Sequence, residues 1–108
     1  MKRFCIIAIM PVFFTLFAGP PAKAAEYLVT QKDLKFNPII KVVEPGDSIN
    51  FSNIDNVVHN IVSMTEGFKF DLGEFKPGMT KSVQFKEHGV VDVECTVHPK
   101  MKMTIFIF

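Results

Sequence analysis

In 108 residues there are only two cysteines, one tyrosine, one arginine, three histidines and no tryptophan. Most of these scarcities exclude something. The single arginine and one of the cysteines, Cys5, fall in an N-terminal stretch that reads as an export signal. Met1-Lys2-Arg3 is a basic head, and Phe4 to Ala18 is an apolar run too short for a comfortable membrane span. Gly19-Pro20-Pro21 breaks the run, and Ala22-Lys23-Ala24 offers a small-x-small cleavage site. The expectation is a signal peptide over 1–24 and one domain over 25–108, exported and without a membrane span in the mature form. That domain has no arginine, and its nine Lys against 11 acidic residues leave it mildly acidic. A nucleic-acid groove needs clustered Lys and Arg, so nucleic acid is excluded as a partner.

The loss of Cys5 leaves one thiol, Cys95. Exported domains normally pair their cysteines. A lone thiol in that setting is open to oxidation unless it is buried or bound. Metal ligation is one good reason to keep it. A small domain without a disulfide must rely on its core, and a bound metal can add stability.

The stretch that is present around this thiol carries the chemistry. It reads Cys95-Thr96-Val97-His98-Pro99-Lys100-Met101-Lys102-Met103. Two His and one Cys with a weak axial Met form the ligand set of a blue-copper centre. The loop holds one of the histidines. The second candidate is His59, in Asp55-Asn56-Val57-Val58-His59-Asn60. Taken singly, each residue has a duller reading: a buried small hydrophobe, a hydrogen-bonded His, core filler. Their spacing and compartment argue for the joint reading. His88, in Lys86-Glu87-His88-Gly89, reads instead as an exposed turn residue at the end opposite the loop.

The rest of the domain reads as short strands between turns. Glu26 to Gln31, Ile39 to Glu44, Ser48 to Asn53, Val57 to Met64, Thr80 to Phe85, Val90 to Glu94 and Lys102 to Phe108 carry the β pattern. Ile49 and Phe51 share a face, as do Val83 and Phe85. Met101, Met103, Ile105 and Ile107 share parity and point to one side. Thr65 to Gly78 reads as irregular, with Phe68, Phe70 and Phe75 capping the core. No helix, repeat or low-complexity tract stands out. The pattern predicts an all-β, antiparallel Greek-key sandwich.

These features together resemble the cupredoxins, with amicyanin, pseudoazurin and plastocyanin as the nearest groups. The resemblance rests on Phe36-x-Pro38, on Pro45-Gly46-Asp47 before the strand ending in Asn53-x-Asp55, and on His59-Asn60. Gly89 and Cys95-Thr96-x-His98-Pro99-x-Met101 complete it. It implies one copper ion held by His59, Cys95 and His98, with Asn60 and Thr96 tying the two ligand segments together. It implies a periplasmic, monomeric carrier of single electrons between redox partner proteins, and no enzyme. Copper delivery, storage or resistance with the same ligands is the alternative. Two axial spacings occur among relatives, and the exit into the last strand favours Met101 over Met103.

The departures are informative. Val93 stands where relatives often have an aromatic, and Phe51 where they have a Trp or another aromatic. Val97 replaces the Pro of amicyanin and plastocyanin, and unlike Pro it has an N–H. A second hydrogen bond to the Cys95 sulfur therefore becomes available, which would raise the potential. A multicopper enzyme would place His beside the Cys, but the neighbours here are Glu94 and Thr96. A purple binuclear centre would need two Cys. The edge of His98 is expected at the surface, within an apolar docking patch of Val97, Pro99 and Met64.

Overall fold

The computed structural model describes residues 24–108, so the expected signal segment, Ala24 aside, lies outside the described residues. Nine strands follow in order: β1 (Glu26–Lys32), β2 (Lys35–Asn37), β3 (Ile40–Val43), β4 (Ser48–Asn53), β5 (His59–Ser63), β6 (Phe70–Phe75), β7 (Thr80–Gln84), β8 (Gly89–Glu94) and β9 (Lys102–Ile107). They form two sheets, ordered β2-β1-β4-β7 and β3-β9-β8-β5-β6. No helix occurs among the described residues.

The sandwich is the expected one, with two differences of detail. Its sheets are mixed, because β1 pairs with β4 and β3 pairs with β9 in parallel. The chain crosses between sheets after β2 and again after β3, so β4 returns beside β1 in the same direction. The Thr65–Gly78 stretch also contains a strand, β6, at the edge of the larger sheet.

Alternation along each strand fills the space between the sheets. Ile49 and Phe51 from β4 meet Ile61, Val91, Val93, Met103 and Ile105 from the other sheet, in one buried cluster. Phe75 is buried with them, while Phe68 and Phe70 pack against the cluster from its margin. Glu44 to Asp47 makes a tight turn with Pro45 at its first corner and Gly46 at φ 97°, a conformation that suits glycine. The Asp47 carboxylate accepts hydrogen bonds from the Ala25 and Glu44 N–H groups at 2.9 and 2.8 Å.

Strand direction sorts the loops into two poles. The β1–β2, β4–β5, β6–β7 and β8–β9 connections share one pole. Ala25, the 44–47 turn, the β7–β8 turn with exposed His88, and Phe108 share the other. His88 is thus remote from Cys95, as its turn position suggests.

Candidate metal centre

Cys95 leaves the end of β8, and His59 opens β5. Both are buried, and His98 is half-buried. Three donor atoms converge. His59 Nδ1 and His98 Nδ1 lie 3.0 Å apart, and each lies 3.8 Å from Cys95 Sγ. A triangle with sides of 3.0, 3.8 and 3.8 Å has a circumradius of about 2.1 Å, close to the length of a metal–imidazole bond. The donor set therefore fits one small transition-metal ion in a trigonal arrangement.

The tie between the two segments has the expected partners. Asn60 N–H donates to Cys95 Sγ at 3.5 Å, Asn60 Nδ2 donates to Thr96 Oγ1, and Thr96 N–H donates to Asn60 Oδ1 at 2.7 Å. Such bonds orient a thiolate and draw charge from it. The second bond to sulfur expected from Val97 does not form. Among the described residues, Asn60 supplies the one backbone N–H to that atom. By Val97 the loop has turned outward, and that residue is 56 % exposed.

Met101 and Met103 are both buried, but at different heights. The β8–β9 ladder pairs Glu94 with Lys102 and Val93 with Met103. Cys95 N–H donates to Met101 O at 3.1 Å, which continues the ladder by one step. Met101 is thus level with Cys95, whereas Met103 lies a two-residue repeat, about 7 Å, further into the sandwich. Met101 N–H also closes the turn onto His98 O at 2.8 Å.

Asp55 also belongs to this site, a role that its place in a turn does not reveal from the sequence. Its Oδ2 accepts from His59 Nε2 at 2.8 Å. A carboxylate cannot donate, so the His59 ring proton sits on Nε2 and Nδ1 presents its lone pair to the cluster. The same carboxylate accepts the Asp33 and Leu34 N–H groups at 2.8 and 3.0 Å. Those residues form the β1–β2 turn with φ 52° and 57°, an unfavourable pair of conformations for Asp and Leu without an external partner. Burial works to raise the Asp55 pKa. Hydrogen bonds from Leu34, His59 and Asp33 outweigh it and hold the carboxyl below its ordinary value. Asn53 braces the same loop. It is buried, donates to Val57 O and Phe75 O, and accepts from Asp55 N–H.

A shallow surface pocket beside His98 is lined by Leu34, Val97, Pro99 and Met101, with Lys35 and Lys100 also contributing. Met64 is not part of it. It follows β5 at the far end from His59 and lines a different groove with Ile39 and Ile40. Leu34 takes the place expected for it, because the β1–β2 turn is the loop beside His98.

Residues 24–107 match the family described as copper binding proteins, plastocyanin/azurin family. The chain belongs to this family. As a member, this cupredoxin takes one copper ion as its cofactor, and electron transport is the family's role. A methylamine utilization protein MauL from Methylorubrum extorquens is 31% identical over 84 residues, covering 77% of this chain and 74% of that protein. A MauL from Methylophilus methylotrophus is 28% identical over 93 residues, and the cupredoxin spans about half (52%) of its length. A Cu(I) amicyanin variant superposes with a TM-score of 0.73 at 21% identity, covering 77% of this chain and 82% of that one. A purple cupredoxin from Nitrosopumilus maritimus gives 0.69 at 20% identity, covering 76% and 99%. These structural likenesses establish the fold. A copper-containing nitrite reductase from Thermus scotoductus shares it over 22% of its own length.

Proposed function

We propose that this cupredoxin is a periplasmic carrier of single electrons between two partner proteins, with His59, Cys95 and His98 as equatorial copper ligands and Met101 as the weak axial one. When bound, copper would supply the one-electron couple that such a carrier needs. The observation that carries this reading is the rigid convergence of three donor atoms beneath a half-exposed histidine. Asp55 fixes the His59 ring, Asn60 and Thr96 fix the Cys95 loop, and the Met101 turn fixes His98. A site held this firmly keeps one geometry across both oxidation states, so little reorganisation accompanies transfer. The His98 ring edge, set among Leu34, Val97 and Pro99, offers the exit, and that small apolar surface suits brief docking.

Copper delivery would call for a site that opens to hand over its ion. Cys95 is wholly buried and braced from two strands, which favours the carrier. An enzymatic role would need further coppers or a substrate group beside Cys95, where Glu94 and Thr96 stand instead. The MauL relatives are named for methylamine utilization, which suggests that setting for the electron carried here.

The test is titration of the metal-free protein with Cu(II), followed optically and by paramagnetic resonance, and then reduction by a one-electron donor. We expect an intense thiolate-to-copper visible band that Cys95→Ser abolishes. A band that survives Cys95→Ser overturns the site, and a copper form that cannot be reversibly reduced overturns the carrier.

A further inference from the structure

Gln31 is a buried polar side chain, paired in register with the equally buried Asn53 of β4. It lies on β1 with no exposure to solvent, among residues that fill the space between the sheets. Its Nε2 donates across the sandwich to Asn60 O on β5 at 3.2 Å. Its Oε1 is buried and has no partner. Leaving such an oxygen unpaired carries a desolvation penalty that an apolar side chain of similar volume would avoid. A buried polar group kept at such a cost calls for an explanation.

The explanation lies in what Asn60 does. Asn60 pairs with Glu74 on β6, but the ladder shifts register immediately after it, before Val62, so Asn60 is the last residue of its run to be held in regular pairing. Yet Asn60 makes every cross-link to the Cys95 segment described above: one bond to the sulfur and two to Thr96. We infer that Gln31 is a positioning residue for the copper site, holding Asn60 from the opposite sheet so that its N–H stays aimed at Cys95 Sγ. The inference rests on the carrier reading. A firmer N–H···S bond withdraws charge from the thiolate and favours Cu(I), so Gln31 acts on the potential through Asn60.

The experiment uses the copper-loaded protein and Gln31→Met, which keeps the volume and removes the donor. The variant should keep its visible band, show a lower reduction potential, and exchange the Asn60 amide proton faster with solvent in the metal-free form. Unchanged potential and unchanged Asn60 exchange overturn the inference, even if the melting temperature moves. Should the variant fail to fold, the unsubstituted protein decides. Its Gln31 side-chain amide resonances should differ between the metal-free and Cu(I) forms, and identical resonances overturn the inference. Absence of any reversible copper couple in the unsubstituted protein removes the underlying reading and this inference with it.

Discussion

Asp55 binds one imidazole and two backbone amides with a single carboxylate. Asp55→Ala leaves the His59 Nε2–H without its partner and releases a turn held at positive φ. The two amides are near solvent and can recover water, so the loss should fall at about 1–2 kcal/mol, the low end for an unsatisfied buried group. Urea unfolding of the metal-free protein measures it. The two methionines separate by height. Met101→Leu should keep the visible band and raise the potential, because a weak axial donor tunes the couple without making the colour. Met103→Leu should leave the potential in place and cost less than about 1.5 kcal/mol, as a near volume-conserving core change. Voltammetry of both variants checks the pair, and a large potential shift confined to Met103→Leu would move the axial position. Cys95 and His98 were legible in the sequence because rare side-chain chemistry stands three residues apart in one loop, and His59, 36 residues before Cys95, because so few histidines are present to complete the set. Asp55 and Gln31 were not. Asp55 stands only four residues before His59, but its carboxylate also gathers Asp33 and Leu34 from more than 20 positions away, and Gln31 acts through Asn60, 29 positions away.

At the scale of elements, β4, β8 and β9 were legible from alternation, since one face of each is buried, and β7 likewise, with one face half-buried. The edge strand β6 was not. Gly73 interrupts its pattern, and exposed Asp71 and Glu74 give it the composition of a loop. The parallel pairing of β1 with β4 was equally hidden, because it follows from where intervening strands lie and not from any local period. The start of β8 shows how two elements share space. A Cβ at Gly89 would come within 2.6 Å of the Phe68 ring. Gly89→Ala should therefore force that ring aside and destabilise the fold by about 1–3 kcal/mol, as overpacking does. A drop in melting temperature with an unchanged visible spectrum is the expected result, since this contact lies at the pole away from Cys95.

Across the whole molecule, the two poles divide the work. The pole that carries His98 also carries the apolar surface of Leu34, Val97 and Pro99, while Met64 and the Ile39–Ile40 edge face another groove. Val97→Asp should slow electron exchange with a partner protein and leave the visible spectrum unchanged. Met64→Asp should change neither, and stopped-flow reduction of the two variants provides the comparison. Ala25 and Phe108 both lie at the other pole, joined to the 44–47 turn and to Val43 by hydrogen bonds. Any tether at either position, whether a fused protein, a resin linker or a monolayer on gold, therefore leaves the molecule standing upright with the His98 pole outward. The attachment chemistry then sets the orientation of the whole film, and the electron's point of departure stays free for whatever arrives from solution.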